Sequence, residues 1–349
     1  MSASLIVSFA PIGWQRLRLA KALFTHNSIF RHAVHEVAKF ADPQLPKPLV
    51  TVLYSEDDEA TIQRPVYSLL VVFAVEYALY QLVAFDSPCE PSVVGHSLGE
   101  FVAAVAAGVL SLQTAVALVI ARGEAMEALP EGGGMVSLKA PASSAAAAIA
   151  SAGCSSVTVA AVNGPQTCVL SGKEDELTRV LNALPGTKST RVRTSVADHG
   201  PMMAPVAHAL EQAASRLYSE APPAPPRCLW ASTVTGCAMT AVEASRPDYW
   251  AAHAVKPVDL PGALTTILEA DEASGACYLL EMGEGMLNNF TADHVAEAGS
   301  KRRVVASALL PKEADGGEPH AALEAEARKE DCLRLVRAER LASFLAVTQ

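Results

Sequence analysis

A serine flanked by glycines, in Gly95-His96-Ser97-Leu98-Gly99, has the spacing of a nucleophile. The stretch fits G-x-S-x-G, with the apolar Ser92-Val93-Val94 before it and a helix-forming run after it. On so tight a strand-to-helix turn, glycines keep side chains from crowding the hydroxyl. The helix N-terminus points free N–H groups at developing negative charge, and the N–H of Leu98 would stabilise an oxyanion. Alone, the five residues also describe an ordinary glycine-rich turn; the strand before and helix after favour the nucleophile.

A serine nucleophile needs a base. Of the nine histidines, His96 is adjacent to Ser97 and would point elsewhere, in a packing role, and His32 and His35 fall on a surface helix. His199 stands where the chain re-enters a larger unit after a run of short strands, at one wall of a cleft over the turn. Arg122 closes an uncharged stretch, Phe101 to Ala121. It reads either as a helix-terminal arginine snorkelling to water or as a bidentate clamp for a buried carboxylate, and periodicity leaves the two open.

The elements that must hold these groups alternate strand and helix. Leu5–Phe9 reads as a strand, Gln15–Phe24 as a helix with Leu17, Leu19 and Leu23 inward, and 66–82 as a long apolar helix. After the hinge-like Gly132-Gly133-Gly134 the order becomes strand 135–139, helix 143–152, strands 157–162 and 167–171, helix 174–184 and strand 189–194. That β-α-β-β-α-β order is ferredoxin-like. A helix from about 203 to 218 returns to the larger unit, followed by a proline-rich connector. Strands are then expected at 229–234, 278–282 and 303–306, and a charged helix at 319–347.

Composition narrows the class. The 349 residues are 50% hydrophobic with 5% aromatics, so the core is aliphatic, and the 18% of charged residues excludes extensive disorder. Twenty-seven Lys and Arg against 37 Asp and Glu leave a net charge of −10, which argues against a nucleic-acid surface. A local basic patch, for example for an acidic carrier protein, stays compatible with it. The nearest pair among seven cysteines, Cys228 and Cys237, leaves no CxxC or Cys/His metal spacing, so reduced thiols in a cytosolic compartment are expected. The N-terminus has no basic n-region and reads as a first strand, without a signal peptide. Although 101–121 is long enough to span a bilayer, Gly108, Ser111, Gln113 and Thr114 interrupt it. Two buried helical pieces suit it better than a membrane span.

The serine segment through Phe101, together with Ala107-Gly108-Val109-Leu110-Ser111, resembles the acyl-CoA:acyl carrier protein transacylases, above all the acyltransferase domains of polyketide and fatty acid synthases. Further motifs follow in order: Ala121-Arg122-Gly123-Glu124, Ala161-Val162-Asn163-Gly164-Pro165, His199-Gly200-Pro201-Met202-Met203, Ser232-Thr233-Val234-Thr235-Gly236, Lys256-Pro257-Val258 and Glu281-Met282-Gly283. They cover roughly 5–310 and are far more specific together than the serine turn alone.

The resemblance implies a large α/β-hydrolase-like subdomain with a parallel sheet (1–131 and 196–310), an inserted ferredoxin-like subdomain (132–195) and a C-terminal linker or docking helix (311–349). It also implies a two-step acyl transfer. Ser97 would take the acyl group of an acyl-CoA with His199 as base, then pass it to the phosphopantetheine thiol of an acyl carrier protein. Arg122 matches the arginine that pairs with the carboxylate of malonyl-type substrates. Leu98 and Ile12 would supply the oxyanion N–H groups, and the backbone carbonyl of His253 would orient His199, asking nothing of the His253 side chain. No permanently bound cofactor and no metal are implied; the partners expected are acyl-CoA, a carrier protein and neighbouring synthase domains.

Departures from the family pattern concern the acyl pocket. Ile12 and Leu69 stand where the family has glutamines, making the cleft more apolar. Val196-Ala197-Asp198-His199 carries Asp198 where malonyl-type members have a bulky Phe and methylmalonyl-type members a small Ser. Its charge would either repel a substrate carboxylate or pair with Arg122. Malonyl transfer is the expectation, with methylmalonyl or broad specificity, or a proofreading hydrolase of the same family, as alternatives. An α/β-hydrolase esterase is disfavoured, because no His-Gly-Gly oxyanion loop is present.

Overall fold

Ten strands run through the computed structural model, which describes residues 4–194, 196–270, 276–297, 303–311 and 319–347. They are β1 (Ser4–Phe9), β2 (Ser92–Gly95), β3 (Gly133–Leu138), β4 (Thr158–Gly164), β5 (Thr167–Lys173), β6 (Ser189–Arg191), β7 (Trp230–Ala231), β8 (Val258–Asp259), β9 (Ala276–Glu281) and β10 (Arg303–Ala308). Five form one sheet in the order β10-β9-β1-β2-β7, and every pair in it is parallel. In the middle lies β1, whose Leu5, Ile6 and Val7 are buried without alternation, as a parallel strand covered on both faces requires.

The remaining five strands form a second sheet in the order β6-β3-β5-β4-β8. Its first four pair antiparallel and, with helices Ala142–Ala152 and Glu174–Asn182, make the ferredoxin-like arrangement. Two of the three expected hinge glycines, Gly133 and Gly134, belong to β3; only Gly132, at φ 96°, turns the chain. The fifth strand, β8, comes from much later in the chain and joins β4 in parallel, so the two sheets are stitched together. Two residues behind Lys256-Pro257 are too few to carry a strand pattern, and the sequence does not announce them.

Helix Pro65–Asp86 starts on a proline and is apolar around its whole circumference, so it runs through the middle of the core. It is long and apolar enough to cross a membrane, but most of it is buried inside the fold. The uncharged 101–121 stretch folds as two buried helices, Gly99–Ala106 and Leu112–Glu127. Gly108, at φ 73°, turns between them, and the Ser111 hydroxyl caps the second by accepting from the Thr114 N–H.

The helix expected over Gln15–Phe24 forms only in its last part. Arg18 and Ala20 sit at φ 62° and 53°, a left-handed conformation that a right-handed helix cannot contain, and the helix begins only at Lys21. Leu19 and Leu23 are nonetheless buried, and Leu17 half-buried. The strand expected at 229–234 shortens to Trp230–Ala231, because from Ser232 the chain turns, through Gly236 at φ 69°, back onto the strand, where Ala238 bridges Ala231. The last helix, Pro319–Val347, lies against the body of the protein: Lys329 pairs with Asp86 at 2.7 Å, and Arg328 donates to the carbonyls of Ala308 and Leu310. Residues 1–3, at the start of the N-terminal stretch read as a first strand, and most of the segment joining Pro311 to this helix lie outside the described residues.

Candidate active site

The serine turn is made by close approach. A Cβ on Gly95 would lie 2.3 Å from the backbone of Gly99, and one on Gly99 would lie 2.4 Å from the Phe9 carbonyl oxygen. Neither position admits a side chain. Between them Ser97 adopts φ 53°, a strained conformation for a residue with a side chain. Surrounding bonds hold it there. Thr233 Oγ1 donates to the Gly95 carbonyl at 2.7 Å, and Tyr249 donates to Glu100 at 2.5 Å. Burial pushes the Glu100 carboxyl up to about 7, although the Tyr249 and Thr233 hydroxyls oppose the rise.

His199 meets the serine across the cleft. Ser97 Oγ donates to His199 Nε2 at 2.7 Å, while Nδ1–H donates to the Lys256 carbonyl at 3.2 Å, so the tautomer leaves Nε2 free to accept. Like Ser97, His199 has a left-handed backbone, φ 55°. Burial, aided by the Arg122 charge, holds its imidazole below the ordinary histidine range, and the Asp198 carboxylate only partly offsets this. His199 is therefore a neutral base near neutrality.

The hydrogen bond from His199 Nδ1–H goes to the Lys256 carbonyl, three residues past the expected His253, whose backbone also bears on the imidazole. The reason is where the helix stops. Asp248–Val255 ends one residue before Lys256, which is extended and turns its carbonyl to the imidazole. The His253 side chain, expected to be idle, is buried, and its Nε2–H donates to the Ser97 carbonyl at 2.9 Å. Burial, then the nearby Arg122 charge, keeps it neutral.

Arg122 is 0% exposed and its Nη2 contacts Asp198 Oδ2 at 2.5 Å. The other Asp198 oxygen accepts the His199 N–H at 3.0 Å. Burial disfavours the Asp198 carboxylate, but the Arg122 charge, with the His199 backbone N–H, more than compensates and holds its pKa below the usual value. Nε and Nη1 of Arg122 are buried without a hydrogen-bond partner among the described residues. One face of the guanidinium lies over Phe101, 6.0 Å from the ring centre.

A cavity of about 400 Å³ opens over Ser97, lined by His199, Asp198, Ile12 and a largely apolar wall that includes Met135, Val169, Met286 and Phe290. Of the residues expected at the site, Ser97, His199, Asp198 and Ile12 face this cavity. Arg122, Leu98, Val196 and His253 do not line it: Leu98 and Val196 pack in the core, Arg122 stands behind Asp198, and His253 behind Ser97. His32 and His35 are exposed on helix Ser28–Ala41.

Two supports escaped the sequence reading. His96 Nε2–H donates to Asn163 Oδ1 at 2.8 Å, tying the serine turn to β4 of the second sheet; burial drives its pKa to about 4. Glu76, buried in the core helix, accepts the Ala10 N–H at 2.6 Å, just before the Pro11-Ile12 loop. Asn163 sits in a quoted motif at a strand end, a signal that went unused. Glu76 is the single charge in the apolar run 65–85, likewise a signal that went unused. Among the described residues, no three His, Cys, Asp or Glu side chains are grouped to hold a metal ion.

Known proteins resemble this chain in sequence and fold. The family described as "Acyl transferase domain" matches residues 9–276. Polyketide synthase GfsB of Streptomyces halstedii is 36% identical over 279 residues, 79% of this chain but 5% of its own length. Spectinabilin polyketide synthase system protein NorB of Streptomyces orinoci is 32% identical over 83% of this chain and 13% of its own. The chain thus spans a small part of these relatives. Among solved structures, the acyltransferase domain from the second module of the salinomycin polyketide synthase superposes with a TM-score of 0.80 at 31% identity, over 95% of this chain and 74% of that one. A malonyl-transacylase solved with a type II polyketide synthase acyl-carrier protein shares the fold, with a TM-score of 0.76 at 21% identity over 92% and 98% of the two chains. With the strand–turn–helix serine and its histidine on the matched segment, this chain belongs to the acyl transferase domain family and is an acyltransferase of the kind built into polyketide synthases.

Proposed function

We propose that the chain moves a malonyl-type acyl group from coenzyme A to the phosphopantetheine thiol of an acyl carrier protein, through an ester on Ser97. The observation that carries this reading is the 2.7 Å bond from Ser97 Oγ to a His199 whose tautomer is set by a backbone carbonyl, at the floor of an apolar cavity. In the first half-reaction His199 Nε2 takes the Ser97 proton as Oγ bonds the thioester carbon. The oxyanion is met by the N–H groups of Leu98, on the turn into its helix, and of Ile12, on the facing loop. The C–S bond then breaks, and the imidazolium returns its proton to the departing CoA thiolate. In the second half His199 takes the proton of the carrier thiol, sulfur bonds the acyl carbon, and Oγ leaves with that proton.

Arg122 supports the malonyl-type choice, since a guanidinium suits a carboxylate and, with Nη2 on Asp198, its Nε and Nη1 are still without a partner among the described residues. The carrier-protein partner is supported by the transacylase of like fold that was solved with its carrier. Neighbouring synthase domains are supported by the polyketide synthases it resembles, of which it spans a small fraction.

Intact-protein mass spectrometry tests the reading. Malonyl-CoA should add one malonyl group to the protein, and a phosphopantetheinylated carrier should then remove it and gain the same mass. An adduct lost to water equally fast with and without carrier would make the protein a hydrolase.

A further inference from the structure

The carboxylate clamp is already occupied by the protein's own carboxylate. Asp198 Oδ2 sits 2.5 Å from Arg122 Nη2, with Arg122 fully buried and Asp198 between it and the cavity. We infer that Asp198 is a tethered occupant of the Arg122 site: a malonyl-type group loads only by displacing it, whereas an uncharged acyl group loads beside the intact pair. Asp198 thus weakens the malonyl preference that the Arg122 guanidinium would otherwise impose, and opens the site to uncharged groups as well. The inference rests on acyl transfer through Ser97.

Charge and shape both carry it. The pair is neutral, and the nearest histidines, His199 and His253, are held in their neutral forms by burial. A second carboxylate would therefore reach a buried guanidinium whose charge is already balanced, which low-polarity surroundings penalise heavily; Arg191 and Arg193 line the same cavity only from its exposed edge, where Arg191 is paired with Glu174. An uncharged acyl group meets no such penalty. The cavity wall that would receive it is apolar, with Met135, Val169, Met286 and Phe290 along it. Asp198 is also bound to the guanidinium by one oxygen only: Oδ2 holds Arg122, while Oδ1 holds the His199 N–H. That leaves Nε and Nη1 of the guanidinium unused. A hydrogen-bond acceptor without charge, such as an acyl carboxamide, has donors waiting and no carboxylate to evict.

The wild-type protein supplies the first test. Single-turnover acylation of Ser97 is followed with malonyl-CoA, propionyl-CoA and malonamyl-CoA, in which a carboxamide replaces the free carboxylate at nearly the same shape. Malonamyl-CoA should load at least tenfold faster than malonyl-CoA; equal rates, or faster malonyl loading, would overturn the inference. The second test is Asp198→Asn, which keeps an acceptor for the His199 N–H and removes the charge. The malonyl-to-propionyl ratio should rise at least tenfold, and the rise should vanish in Asp198→Asn/Arg122→Ala. Because both substrates are read on one sample, a partly unfolded variant does not change the ratio. An unchanged ratio rejects Asp198 as the determinant while leaving acyl transfer standing. No adduct from any of the three would sink the acyl-transfer reading, and this inference with it.

Discussion

The serine turn and the arginine behind the acyl pocket are neighbours, built on opposite principles. Around Ser97 the structure is over-determined: two glycines pressed against backbone, three side chains bonding its carbonyls and carboxylate, and strained backbones at both Ser97 and His199. Around Arg122 it is under-determined, with one ion-pair contact and two buried nitrogens unpartnered among the described residues. The difference separates two tasks. Bond-making requires fixed positions to within a fraction of an ångström, so close packing leaves no latitude. Acyl recognition needs only a charge balance in a shaped space, and one side chain, Asp198, can reset it while Ser97 and His199 themselves stay in place.

That contrast can be broken at its strongest point first. Ser97→Ala should abolish covalent acylation by every acyl-CoA; a labelled adduct that survives would place the nucleophile elsewhere. Gly99→Ala comes next. Its new Cβ would press into the Phe9 backbone, which side-chain motion cannot relieve, so a loss of about 3 kcal/mol or more in unfolding free energy is expected. A denaturant midpoint like that of the wild type would mean the turn is looser than the close approach implies.

The smallest effect lies on the pH axis. His199 works as a base when neutral, and burial keeps its pKa below the ordinary 6.5, so acylation should persist below that pH and fall only as the imidazole takes up a proton. The Asp198 carboxylate raises that pKa in part. Asp198→Asn should therefore move the acid limb to still lower pH. A pH–rate profile of the acylation half-reaction reads this directly, and a shift toward higher pH would contradict the assigned charges.

Local pattern carried a good deal of this molecule. Ser97, its glycines and the strand and helix around them are contiguous, so the turn was legible from five residues and their neighbours. The β-α-β-β-α-β order was legible for the same reason, since each element's apolar pattern is short-range. The helix expected over 15–24 was misread, because nothing local betrays that Arg18 and Ala20 must turn left-handed, with the Arg18 N–H reaching the Leu53 carbonyl.

What tertiary structure alone decided is who meets whom. Arg122 and Asp198 are 76 residues apart, His253 and Ser97 156, and His199 and Lys256 57. Sequence named Arg122 and Asp198 and left repulsion and pairing equally open, since a sign of charge says nothing about distance. It assigned His253 a backbone role because a helix end slides by residues without altering the pattern that encodes it. Type and spacing determined which groups could do chemistry; which of them are spent on one another depended on ångström separations that only the packed chain sets.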